Sequence, residues 1–412
     1  MLSNDIPAAV TALEDHDMIE LPDPDIAYPD THREQLDETS TSCIMLSALQ
    51  QILKNPNANF KSVEQGRIIR EVLRRKKDII GVMPTGGGKS FIFMVPAAME
   101  ENKTTVVVVP LVALTADLIQ RAVKAGISAT RWSANESSLL RMNTPRLLFV
   151  AMENAVKENF RGFLLELAHQ ERLARIVFDE AHLLVSWAEF RPLMRSLVSL
   201  RSVSVPNVFC SATLPPTLVK KLQTAMAIED FILIRQLTSR LNLQYTVHVT
   251  ANKKQAYEKL KLVLKSALPN CRVEDRILVF FPTIHDSEEA AENLQHFLQS
   301  PVLVYNSSRS QLERERVQNE FQAGTHQVIC ATCAFGIGIE YAHIRTVIHM
   351  HYSHSMLQYV QESGRAGRNG EAADCIAIFS TEDFGRAVNF NGANKEELAE
   401  VADYFRDKKT CR

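Results

Sequence analysis

A chain of 412 residues with 46% hydrophobic and 23% charged residues has room for two or three ordinary domains, each with its own core, and reads as soluble and globular. Its longest strongly apolar stretch, Thr104 to Leu114, contains Pro110 and is too short to cross a bilayer, and its first residues lack the basic start and apolar run of a secretion signal, so an intracellular protein with no membrane segment is expected. The net charge of −2 conceals an asymmetry: residues 1–42 carry eleven Asp or Glu against Arg33 alone, leaving 45 Lys or Arg against 37 Asp or Glu over residues 43–412, a balance that suits a polyanionic partner.

In chain order, the acidic stretch 1–42 also holds Pro7, Pro22, Pro24 and Pro29. It buries little apolar surface and breaks helices, so a flexible tail is expected there. From about Cys43 an amphipathic helix is followed by short apolar, β-branched runs alternating with helical stretches: DIIGVM, TTVVVVP, RLLFVAM, ARIVFDE and VPNVFCSAT. A second series starts near Leu241 with LQYTVHV and continues through RILVFFP, VLVYN, HQVICAT, IRTVIHM and CIAIFS. Alternation of this kind is the mark of parallel sheets with helices on their faces. The expected organisation is an α/β lobe over 43–240, a second over 241–385, a junction between about Leu237 and Lys253, and a short tail over 386–412.

Two strings carry chemistry. The run from Gly81 to Ser90 (GVMPTGGGKS) follows an apolar strand and opens a helix. Glycines there let the backbone curl around an anion, and the helix N-terminus adds partial positive charge. Thr85, Gly86, Gly87 and Gly88 are the expected cradle for nucleotide phosphates, with Lys89 reaching the β- and γ-phosphates of ATP and the Ser90 hydroxyl on Mg²⁺. Ninety residues after Lys89, ARIVFDEAH ends a second apolar strand on two adjacent carboxylates. Both motifs are expected at the carboxyl edge of one sheet, where Asp179 would bind Mg²⁺ and Glu180 would orient the attacking water.

With these motifs the chain resembles superfamily 2 helicases from about Phe60 to Phe379. The PTGGGKS form of the phosphate loop, the Ser211-Ala-Thr213 string, ATCAFGIGIE from Ala331 to Glu340 and QESGRAGRNG from Gln361 to Gly370 are similar to that superfamily's motifs. The resemblance implies two tandem RecA-like lobes with a P-loop NTPase in the first. It also implies arginine fingers at Arg365 and Arg368 on the second lobe, grouped with Gln361, and coupling through His182, Ser211 and Thr213.

Three strings resemble the RecQ type in particular: LVSWAEFRP after the DEAH site, RLNLQY from Arg240 to Tyr245, and the pattern from Ser355 into the arginine motif. By that resemblance Trp187, Phe190 and Arg191 would touch single-stranded DNA and report it to the ATPase site. Aromatic faces and arginine suit sequence-tolerant binding. The implied activity is ATP-dependent DNA translocation or unwinding with 3′ to 5′ polarity on single-stranded or tailed duplex DNA, in the nucleus if the source is eukaryotic. An RNA-directed motor and an inactive nucleic-acid-binding relic are the alternatives.

Departures from the pattern are local. FKSVEQ (Phe60 to Gln65) is similar to the adenine-reading motif, in which Gln65 would pair its amide with the adenine edge. Ser62 stands where the family has arginine, with Lys61 beside it. Ile337 and Glu340 replace Met and Asp, and Leu241 replaces a proline. The 33 residues after Phe379 include one cysteine, Cys411, so the zinc and winged-helix modules that commonly follow a RecQ motor are not expected in this stretch. Cys330 and Cys333 form a lone CxxC inside a motif, and the seven cysteines are expected as reduced thiols. His349, His351 and His354 are expected in solvated or capping roles.

Overall fold

The computed structural model describes residues 32–110, 113–186, 193–336, 341–380, 382–383 and 395–406. The chain divides into two units, Met1–Thr41 and Ser42–Arg412, and the second contains two sheets. The first sheet has seven strands, β1 (Asp78–Val82), β2 (Thr104–Val109), β3 (Ala129–Arg131), β4 (Leu147–Ala151), β5 (Leu173–Phe178), β6 (Asn207–Ser211) and β7 (Phe231–Arg235), in the order β3-β4-β2-β5-β6-β1-β7. The second has six, β8 (Leu243–Thr250), β9 (Arg276–Phe280), β10 (Leu303–Tyr305), β11 (Val328–Ala331), β12 (Ile344–Met350) and β13 (Ala373–Ser380), in the order β10-β11-β9-β12-β13-β8. Every pairing between them is parallel.

Central strands of such sheets are buried on both faces, which is why the sequence reads them as continuous apolar runs. Alternate residues confirm the pleat. Ile80, Val82, Val108, Ile176, Phe178 and Phe209 enter the core on one face of the first sheet, and Ile79, Val107, Val109, Val177, Val208 and Cys210 enter the other. Phe178 and Phe209 stack across neighbouring strands with centroids 5.0 Å apart. Register then decides where the loops emerge. Val82 pairs with Ser211 and Val108 with Phe178. Met83 N donates to Ser211 O at 3.0 Å, Asp179 N to Val108 O at 3.0 Å, and Ala181 N to Cys210 O at 2.9 Å. The phosphate loop, the DEAH turn and the Ser211–Thr213 string therefore leave one sheet edge side by side.

Eleven of the strands fall on the eleven apolar runs read from the sequence. The other two, β3 and β7, are edge strands: β3 has three residues with no apolar run, whereas β7 is itself an apolar run, FILIR, that is not among the eleven, and it leaves Leu233 exposed.

Two stretches expected as tails contain helix. Helix α1 (His32–Leu53) starts ten residues before the expected boundary of the acidic segment, in a proline-free stretch between Pro29 and Pro56. The helix Lys395–Arg406 lies inside the expected C-terminal tail. Its Leu398, Val401, Ala402 and Phe405, spaced to share one helix face, are buried, and Val401 and Phe405 join a cluster with Tyr359, Ala377 and Phe379 of the second lobe. Among the described residues no helix is long and apolar enough to cross a membrane.

Candidate nucleotide and coupling site

The phosphate loop bridges β1 and helix α3 (Phe91–Met99). Gly86 and Gly88 have φ of 79° and 83°, in the left-handed region open chiefly to glycine. A Cβ on Gly87 would sit 2.9 Å from Pro84 O, and one on Gly88 would collide with the Gln65 amide. Helix α2 (Val63–Arg74) flanks the loop and is capped by Ser62, whose Oγ accepts from Gln65 N at 3.1 Å. From this side Gln65 Nε2 donates to Gly87 O at 3.3 Å and Gly88 O at 3.0 Å, and Lys61 Nζ donates to Gly86 O at 2.7 Å. Ser90, the N-cap of α3, makes no side-chain bond to its helix.

Opposite the loop, Lys89 Nζ lies 3.2 Å from Glu180 Oε1. Glu180 has φ 50°, an uncommon conformation for a non-glycine residue, and its N–H donates to Asp179 Oδ1 at 3.0 Å. Burial alone would favour the neutral Glu180 acid. Positive charge, that of Lys89 foremost, outweighs it and holds the carboxyl below the usual range, so Glu180 is ionised at neutral pH. His182 is buried, and desolvation pushes it down to about 4, against the raising influence of Glu180. The ring is neutral. Its Nδ1 lies 2.9 Å from Ser211 Oγ, which also accepts from Thr213 N at 3.1 Å.

The second lobe closes on this array. Gln361 Nε2 lies 2.7 Å from His182 Nε2 and donates to Thr213 Oγ1 at 2.8 Å. With the amide nitrogen facing Nε2, the neutral ring accepts there and donates from Nδ1 to Ser211. A Cβ on Gly364 would come within 3.7 Å of Thr85 Oγ1. Arg365 is buried and pushed down to about 10, first by desolvation and then by Arg368, with Glu362 and Glu180 opposing. Gln361 belongs to the helix Met356–Ser363, and Arg365 and Arg368 follow in the turn after it.

Residue-by-residue reading missed the groups that hold this turn. Arg240 donates to Gly364 O at 2.9 Å and also to Gly367 O, and Asn242 Nδ2 donates to Gly367 O and Glu371 O at 2.9 and 2.7 Å. The RLNLQY string flagged the segment without its role. His349 and His351 are not solvated as expected. Both are buried, His349 within β12 and His351 just past its end, each with one ring nitrogen on a buried carboxylate, Glu362 at 3.0 Å and Asp383 at 3.1 Å. Among the described residues no cluster of metal-ligating side chains is found, and Cys330 is buried while Cys333 is exposed. Trp187, Phe190 and Arg191 lie outside the described residues.

The DEAD/DEAH box helicase family model matches residues 62–222, and the helicase conserved C-terminal domain matches residues 257–370. The chain is 30% identical over 356 residues to the ATP-dependent DNA helicase Q1 of Rattus norvegicus, covering 82% of this chain and 56% of the relative. It is 29% identical over 363 residues to the ATP-dependent DNA helicase hus2/rqh1 of Schizosaccharomyces pombe, covering 82% of this chain and 27% of the relative. The chain belongs to the RecQ-type helicases of superfamily 2. A further RecQ relative, the RecQ-like DNA helicase BLM of Xenopus laevis, is 32% identical over 325 residues, which is 75% of this chain and 23% of that protein. The chain thus spans between about a quarter and just over half the length of these curated RecQ relatives. The solved DEAD-box helicase Mss116 bound to ssRNA and UDP-BeF superposes with a TM-score of 0.67 at 15% identity, covering 90% of this chain and 82% of that one. The helicase MrfA bound to DNA gives 0.66 at 17%, covering 87% and 53%. These likenesses show the tandem RecA-like fold.

Proposed function

We propose that this chain is the motor of an ATP-dependent DNA helicase of RecQ type, hydrolysing ATP in response to single-stranded DNA and moving 3′ to 5′ along it. The observation that supports this reading best is Gln361, carried by the second lobe beside the arginines, hydrogen-bonded at once to His182 and Thr213 of the first lobe. A nucleotide site is joined there to the contact through which lobe movement is felt.

Magnesium and ATP fit the residues present. Lys89 already holds an anionic oxygen, that of Glu180, at the mouth of a glycine loop on a helix N-terminus, and the Ser90 hydroxyl is not engaged in capping its helix. In this reading Lys89 and the loop from Thr85 to Gly88 hold the phosphates, and Ser90 and Asp179 hold Mg²⁺, which would draw charge from the γ-phosphate. Glu180, ionised at neutral pH, accepts a proton from the attacking water. Arg365 and Arg368 bring positive charge to the phosphates only when the lobes close. Ser211, Thr213 and His182 pass the change to Gln361, and the segment with Trp187, Phe190 and Arg191 carries the signal of bound DNA. Gln65 is proposed as a nucleotide-site residue acting on the loop.

Polarity gives the test. With ATP, the chain is expected to displace streptavidin from the 5′ end of a biotinylated single strand several times faster than from the 3′ end. Equal rates at both ends, or a preference for the 3′ end, would contradict the reading.

A further inference from the structure

Phe60 to Gln65 lies against the phosphate loop and contains the groups placed to meet a nucleobase. Each is engaged with the protein's own groups. The Gln65 side chain is 1% exposed, and its amide is fully engaged: both Nε2 hydrogens go to the carbonyls of Gly87 and Gly88, and Oε1 accepts from Lys61 N at 2.7 Å. Turning this amide toward an adenine edge would leave two loop carbonyls and a backbone N–H without their partner, which offsets what the new bonds gain. Ser62 caps α2 and donates to Gln236 Oε1 at 3.2 Å. The Phe60 ring, half-buried, lies against Gly66, a Cβ there meeting it at 3.4 Å, and packs onto the apolar cluster of Met45, Leu49 and Ile69. The remaining group is the Lys61 ammonium on Gly86 O, and a cation at that loop discriminates phosphate charge rather than base edges.

We propose that this nucleotide site recognises phosphates and is indifferent to the base, accepting purine and pyrimidine nucleoside triphosphates alike, with Gln65 a positioning residue for the loop. This inference rests on the nucleotide-driven motor reading above and specifies its substrate class.

The test is calorimetric binding of Mg·ADP, Mg·GDP, Mg·CDP and Mg·UDP to the full chain, with hydrolysis of the four triphosphates followed separately on single-stranded DNA. Dissociation constants within about threefold of one another are expected, and Lys61→Met is expected to weaken all four by the same factor. An ADP affinity tenfold or more above that for GDP and UDP would overturn the proposal, as would a Lys61→Met loss confined to ADP. Equal binding without DNA-stimulated hydrolysis would leave base indifference standing and remove the motor. Base-selective binding with DNA-stimulated hydrolysis would do the reverse, and failure to bind any of the four would remove both.

Discussion

Lys89 and Glu180 face each other across 3.2 Å, yet they are assigned to different steps. In the proposed mechanism Lys89 supplies charge to bound phosphates, whereas Glu180 acts on water. Lys89→Ala and Glu180→Gln are each expected to lower turnover about a hundredfold, equivalent to roughly 3 kcal/mol of barrier. Only Glu180→Gln should retain nucleotide affinity in a binding titration. His182 gives a pH signature of definite sign. Its folded value of about 4 lies below the ordinary 6.5, so the unfolded chain binds the extra proton between those values. Its stabilising contribution is present above about 6.5 and is lost as pH falls toward 4. Between pH 7 and pH 5 the wild type should lose about 2 kcal/mol more stability than His182→Gln, measured by denaturant midpoints at both pH values. The identities of Lys89, Glu180 and His182 were legible in sequence because their motifs are contiguous. The inward bonds of Gln65 were not, since they depend on Gly87 and Gly88, more than twenty residues away along the chain.

At the scale of elements, fully buried parallel strands announce themselves as apolar runs, so the register that aligns the phosphate loop with the DEAH turn could be anticipated. The edge strand β3, three residues with no apolar run, loses that signal, whereas β7 keeps it in FILIR. The helix Lys395–Arg406 was overlooked for a different reason: its four buried residues are diluted by Lys, Glu and Asp on the outer face, and only the second lobe's surface gives them a partner. Phe405 packs edge-on to Tyr359, 5.2 Å between centroids, and lies 5.8 Å from Phe379. Tyr359 lies on the helix that carries Gln361, so this packing supports the arginine motif from behind. Phe405→Ala should lower stability by about 3 kcal/mol, the cost of an unfilled aromatic site, seen as a fall in denaturant midpoint. A change below about 0.5 kcal/mol would mean that this helix does not pack as described.

For the whole molecule, the carboxyl edge of the first sheet meets a helix and turn of the second lobe that end at the amino end of β12, where Gly367 N donates to Ile344 O at 2.8 Å, and in the proposed motor hydrolysis depends on groups from both lobes. Lys89, Asp179 and Glu180 come from the first lobe, Gln361, Arg365 and Arg368 from the second. The bonds from Gln361 to His182 and Thr213 join them, and Arg240 and Asn242 at the junction fix the turn that bears the arginines. Nucleic acid that changes lobe closure must then change the rate of hydrolysis. The most direct measurement is steady-state ATP hydrolysis by the full chain with and without saturating single-stranded DNA. At least a tenfold rise with DNA, larger than that given by RNA of equal length, is the expected result; a rate unchanged by DNA, with the protein shown to bind it, would contradict the account.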